Sequence, residues 1–231
     1  MFERVANFRD LGGHRAGNGG RVRRRLLYRS ASLDWMTAAD AALARDELGL
    51  RTVVDLRAAH EVGPLEGHPL FASGVERHHA PLSNRIIEAG WECVPPYGVE
   101  SYVLSLQHAR PAIRGALERL ATPGALPAVF HCAAGKDRTG IVAALLLELL
   151  GVSDADIEQD YRASKPHLAE VARIAGRDPR TADPAQLEVH PPALLGTLAW
   201  VREHFGGAEA YLLVAGVSEG AIERLREGLV E

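Results

Sequence analysis

The chain has 231 residues, enough for one α/β domain with a sizeable core. Its net charge of −4 argues against bulk nucleic-acid binding, so any attraction for anions must be local. Hydrophobic content of 47% and charged content of 24% are ordinary for a globular protein, and the longest unbroken apolar run, Ile141 to Leu147, is too short to span a bilayer.

Met1 to Asp10 carries charges and no apolar core, so no secretory signal is expected there. Only two cysteines are present, Cys93 and Cys132, too few for a disulfide framework. A reduced, cytoplasmic setting is the expectation. Asn7 to Gly20 is rich in glycine and reads as irregular structure lying over the domain. Arg21, Arg23, Arg24, Arg25 and Arg29 surround a strand expected at Leu26-Leu27-Tyr28. The plain reading of this cluster is a solvated strand edge; the sharper one has Arg29 attracting a phosphorylated ligand. Thr37 and Asp40 form a capping pair for a helix running to Gly49.

Arg51 to Leu56 reads as a buried strand with Asp55 and Arg57 at its C-terminal end, where ligands bind in parallel α/β sheets. Asp55 is read there as a structural hydrogen-bond acceptor. Gly74 to Pro81 holds a further strand, and His78 and His79 in it face opposite sides, so they cannot share a metal ion. Gly98 to Leu120 has helical periodicity interrupted near Pro111. Ser153 caps another helix; Pro166 to Ala175 and Pro192 to Phe205 read as helical; and Gly206-Gly207 precedes two short helices, Ala208 to Ala215 and Ser218 to Leu229. With no repeat and no domain-scale linker, residues 1–231 are expected to form a single domain with helical decoration over about 153–205.

The chemistry concentrates in Val129-Phe130-His131-Cys132-Ala133-Ala134-Gly135-Lys136-Asp137-Arg138-Thr139-Gly140, ahead of an apolar run to Leu150. Val129 and Phe130 suit a buried strand. Ala133, Ala134 and Gly135 let the backbone fold back and turn successive N–H groups inward, and a helix is expected to start near Arg138 or Thr139. Its N-terminal N–H groups and dipole make the loop a cradle for phosphate or another oxyanion. A free thiol titrates near about 8.5, and one beside cations at a helix N-terminus at roughly 3.5–7.5, so Cys132 is expected to be a thiolate nucleophile. The Arg138 fork can hold two phosphoryl oxygens, and Thr139 can hydrogen-bond the departing sulfur. Phosphoryl transfer needs little beyond this positioning and charge, with no metal or organic cofactor.

His131-Cys132, five residues, then Arg138-Thr139 resembles the signature loop of the cysteine-dependent tyrosine and dual-specificity phosphatases. The fuller string through Gly140, together with Asn7-Phe8-Arg9-Asp10-Leu11-Gly12-Gly13, is similar to a bacterial branch of that family. Leu27-Tyr28-Arg29-Ser30 and Val53-Val54-Asp55-Leu56-Arg57 echo it. The resemblance implies a mostly parallel central sheet flanked by helices, with later helices extending the fold as a lid. It implies phosphomonoester hydrolysis through a phosphocysteine at Cys132, with Ala133, Ala134, Gly135 and Lys136 lining the substrate loop and His131 and Asp55 orienting it. Phosphorylated proteins or peptides are the implied partners.

An alcohol leaving group needs a proton. Many tyrosine phosphatases supply it from an Asp on a loop before the cysteine, but this chain has no Asp between Asp55 and Asp137. Asp137, inside the loop, is the preferred acid; Glu92 and Asp55 are the alternatives. Ala-Gly-Lys before the arginine is also similar to phosphoinositide phosphatases, where a lysine at the rim suits a multiply phosphorylated headgroup. Against these stand a binding module that reads phosphate without turnover, and a sulfurtransferase or arsenate reductase. The intact Cys132, Arg138 and Thr139 favour hydrolysis. Cys93 is the one other thiol and is considered as a partner for an oxidised Cys132.

Overall fold

The structure is a computed structural model and describes residues 2–82 and 97–231, so Glu92 and Cys93 lie outside the described residues. Five strands form one sheet in the order β1-β2-β5-β3-β4. They are β1 (Arg9–Asp10), β2 (Leu27–Ser30), β3 (Thr52–Asp55), β4 (Glu76–His79) and β5 (Ala128–His131). All pairings are parallel except β1 with β2. Register brings Ser30, Asp55 and His131 level, so three strands end together at one rim.

The central strands β2, β3 and β5 are buried on both faces, which explains why apolar residues stand at adjacent positions, Val53-Val54 and Val129-Phe130, rather than alternating with polar ones. Val54 and Phe130 point into a large cluster shared with helices α3 (Val99–His108), α4 (Arg110–Leu120), α5 (Asp137–Leu149) and α8 (Pro191–Phe205). Val53, Val129 and Tyr28 point the other way, against Leu33, Met36, Ala41 and Leu70. The second face is covered by α1 (Ala38–Ala42), where Thr37 and Asp40 make the expected reciprocal cap, and by α2 (Pro69–Ala72). Between α5 and α8 run α6 (Asp154–Arg162) and α7 (Leu168–Ile174); α9 (Ala208–Val214) and α10 (Glu219–Leu229) close the chain.

The expected break near Pro111 falls at Ala109, and Pro111 sits in the first turn of α4, where its missing N–H costs nothing. Two expectations shift. Helix α5 begins one residue early, at Asp137. Arg29 is no part of a solvated edge: it is fully buried. Of the decoration over 153–205, α8 buries Ala193, Leu194, Leu198 and Val201 as core. Helix α7 and the 3₁₀ turn Pro184–Leu187 border the loop after β5, and α6 reaches Asp137 through Tyr161.

Candidate active site

The loop after β5 is shaped from outside by its carbonyls. Ser32 N–H donates to the Ala133 carbonyl at 3.0 Å, and Asn7 Nδ2 to that of Ala134 at 2.9 Å. The Arg29 guanidinium donates to the Gly135 carbonyl at 2.9 Å, and Gly140 N–H to that of Lys136 at 2.7 Å. Four successive carbonyls thus turn away from Cys132. The N–H groups of residues 133 to 136, which find no backbone acceptor among the described residues, are left for the interior. Gly135 is required here: its φ is +67°, and a Cβ would stand 2.4 Å from the Ser30 carbonyl oxygen.

Arg29 reaches the loop because Asp160 holds it from α6. Asp160 accepts from Arg29 and, at 2.9 Å, from Arg9, whose guanidinium also bonds Asn7 Oδ1 at 2.5 Å. Burial opposes the Asp160 charge, but Arg29 and Arg9 overcome it and hold the carboxyl below its ordinary range. The Asn7-Phe8-Arg9 motif is therefore a brace that joins the first strand, the loop and α6.

Cys132 is buried at the base of the loop, ahead of the α5 N-terminus. Arg138, in the first turn of α5, is paired at both Nη atoms with Glu61, one contact at 2.7 Å. Burial works against the Arg138 charge, yet Glu61 and Cys132 raise its proton affinity above the usual value. Glu61 uses one edge of the fork. A guanidinium has five N–H donors, so the Nε edge stays available to two oxygens of a ligand. Arg138→Lys keeps the charge but cannot serve Glu61 and a phosphoryl group together. Its expected effect is a kcat fall of at least about 10²-fold, the usual loss for a transition-state donor. Near-normal steady-state kinetics would show that Arg138 clamps nothing.

His131 and Asp55 stand behind the sulfur. Burial pushes the His131 imidazole down to about 4, more than nearby Asp55 raises it, so the ring is neutral at pH 7. Its Nδ1 lies 3.1 Å from the Cys132 carbonyl and donates to it. Asp55 is fully buried; burial disfavours its charge, but hydrogen bonds from Arg57 and Arg77 and the Arg57 charge hold the carboxyl well below the carboxylate range. A group so firmly ionised and enclosed orients its neighbours and has no proton to give.

Asp137 has the opposite setting. Its side chain is 29% exposed and borders a cavity of about 190 Å³ with Ala133, Ala134, Tyr97 and Arg177. A second cavity of about 460 Å³, lined by Trp35, His60, Glu61 and Pro64, meets the first at Ala133 and Arg177. Lys136 does not reach out from the rim. Its ammonium donates to the carbonyls of Ala185, Gln186 and Glu188, the last at 2.8 Å, and lies 4.4 Å from the Tyr97 ring centre. Carbonyl dipoles and an aromatic face replace its water. Thr139 Oγ1 is buried and makes no hydrogen bond in the described structure, with Cys132 Sγ or otherwise. Among the described residues no cluster of three or more His, Cys, Asp or Glu could hold a metal ion, and no helix is long and apolar enough to cross a membrane.

Sequence reasoning missed Glu61, Asp160, Tyr102 and Tyr161. Glu61 lies 77 residues from the arginine it holds, and Asp160 lies 131 from Arg29. No spacing rule joins such pairs.

A phosphate ester seated in this loop meets a sulfur nucleophile below and hydrogen-bond donors around it, the arrangement of phosphatases that work through cysteine. Comparison with known proteins places the chain more closely. A profile described as "Tyrosine phosphatase family" matches residues 1–231, and the chain belongs to that family. It is 33% identical to a tyrosine-protein phosphatase of Nostoc commune over 217 residues, covering 87% of this chain and 72% of that protein. It is 32% identical to a putative tyrosine-protein phosphatase of Cupriavidus necator, covering 91% and 81%. The triple specificity protein phosphatase PtpB of Mycobacterium tuberculosis is 26% identical, covering 95% of each chain. The protein is thus a phosphatase of this family.

Proposed function

We propose that the protein dephosphorylates tyrosine-phosphorylated or dual-specificity protein substrates, with Cys132 as nucleophile, Arg138 as phosphoryl clamp and Asp137 as general acid. The observation that carries this is the outward tethering of the carbonyls of Ala133, Ala134, Gly135 and Lys136, which leaves the loop interior to donors. Cys132 Sγ attacks phosphorus as the P–O bond breaks, and the departing oxygen keeps that electron pair and takes a proton from Asp137. Water then displaces the sulfur, restoring the Cys132 thiolate and releasing phosphate, and the water's proton goes to the Asp137 carboxylate. The charge that builds on the equatorial oxygens falls on fixed N–H groups and Arg138. Residues 1–231 act as one catalytic unit, because the brace at the loop draws on Asn7 and Arg9 from one end and Asp160 from far along the chain. The phosphoinositide reading loses its main support, since the Lys136 ammonium is committed to three carbonyls.

Leaving-group chemistry tests Asp137. A nitrophenolate departs as an anion, whereas a tyrosine phenolate, of pKa about 10, or an alkoxide gains more from protonation. Asp137→Asn is expected to slow a phosphotyrosine peptide or an alkyl phosphate by about 10²-fold or more, with much less effect on p-nitrophenyl phosphate. Equal loss on both substrates would assign Asp137 to bracing the loop and return the search to Glu92.

A further inference from the structure

We infer that Tyr102 and Tyr161 are positioning residues for Asp137, fixing which carboxyl oxygen carries the proton; this rests on the reading of Asp137 as the acid. The two phenols come from different elements, α3 and α6, and both are buried. Their hydroxyls are 2.9 Å apart. Tyr102 donates to Asp137 Oδ1, and the Tyr161 hydroxyl lies 3.4 Å from the same oxygen.

The direction of the chain follows from its far end. The His190 backbone N–H, which can only donate, bonds the Tyr161 oxygen at 3.3 Å. Tyr161 accepts there, and its own proton points to Tyr102 or to Asp137. Either way at least one phenol proton points at Oδ1, which favours Oδ1 as the carbonyl oxygen of the protonated carboxyl. The transferable proton is therefore assigned to Oδ2; the Lys136 ammonium, 3.6 Å from that oxygen, turns its own protons to the carbonyls of Ala185, Gln186 and Glu188. Burial, with the Asp137 charge added, pushes both phenols above their ordinary values, so they stay protonated donors across the working range.

Gly140 supports the same arrangement. A Cβ there would stand 2.9 Å from two ring carbons of Tyr161. The glycine two residues after Arg138 thus makes space for the ring whose hydroxyl meets Asp137. In the reaction the P–O bond breaks, its electron pair goes to the leaving oxygen, and the Oδ2 proton follows. The new carboxylate charge is shared with Oδ1, where Tyr102 already donates. That hydrogen bond strengthens as charge develops, so it stabilises the transition state more than the ground state.

The test uses the full chain with Tyr102→Phe, Tyr161→Phe, Asp137→Asn and the Tyr102→Phe/Asp137→Asn double variant. Each is assayed for kcat and KM on a phosphotyrosine peptide and on p-nitrophenyl phosphate. Tyr102→Phe is expected to lower kcat on the peptide by about tenfold at unchanged KM, with less than about a twofold change on the nitrophenyl ester. The double variant should be no slower than Asp137→Asn alone, since residues acting as one unit are not additive. Tyr161→Phe should show the same selectivity with a smaller loss, and it serves as the readout if Tyr102→Phe folds poorly. Equal loss on both substrates, or a double variant slower by the full product, overturns the positioning role while Asp137 remains the acid. If Asp137→Asn shows no leaving-group dependence, the acid assignment fails and the inference falls with it.

Discussion

Cys132→Ser is expected to abolish turnover while phosphate and vanadate still bind. The serine hydroxyl is close to isosteric with the thiol, so the outward tethers on Ala133 to Lys136 and the Glu61–Arg138 pair stay in place. What is lost is the nucleophile, because an alcohol is far less ionised than a thiol in the same loop. Losing a catalytic nucleophile typically costs about 10⁴-fold or more in kcat, whereas oxyanion affinity depends on donors that the substitution leaves alone. Steady-state rates on p-nitrophenyl phosphate and calorimetric titration with vanadate read the two separately. Measurable hydrolysis by a contaminant-free preparation would remove covalent catalysis from the mechanism.

Asp160→Asn should be the most damaging single change away from the sulfur. The carboxylate serves two guanidiniums at once, Arg29 with no exposed side-chain surface and Arg9 at 17%. An amide keeps one oxygen but turns an NH₂ group toward one of the cations and removes the compensating charge. Breaking a buried pair from one side costs about 3–5 kcal/mol, because the remaining charge is stranded. In a chain of this length that lowers Tm by on the order of 10 °C. The native carboxyl is held below its ordinary range, so its contribution is present near neutral pH and is lost as acid protonates it. The gap between native and variant Tm should therefore narrow on acidification. Activity falls too, since Arg29 no longer anchors the Gly135 carbonyl. A variant that melts within about 2 °C of the native protein at pH 7 would show that the brace contributes little.

Elements bounded by local signals were legible before the fold was known. The Thr37/Asp40 cap, the Ser153 cap, the buried strands at β3 and β5 and the break near Pro111 each rest on neighbours within a few residues. The cradle was legible for the same reason: Cys132, the small residues, Arg138 and the start of α5 are consecutive, and geometry over so short a span follows from backbone sterics. Arg29, read along with the arginines before β2, was misread because exposure is not a local property. Arg29 shares its neighbourhood with solvated arginines, yet it lies on a strand whose every residue is buried.

By itself, the sequence determined the reaction type and pointed to one loop for it, since a thiol, a cradle and a guanidinium in one loop have few other uses. Only the tertiary structure decided how they are held. Glu61 on Arg138, Asp160 on Arg29, three strap carbonyls on Lys136 and two phenols on Asp137 are contacts across 24 to 131 residues. Charged and polar side chains on the surface of an unfolded chain have many partners to choose from, and water satisfies them all. Burial removes the water, and the partner left is whichever group the packing of sheet and helices brings within reach.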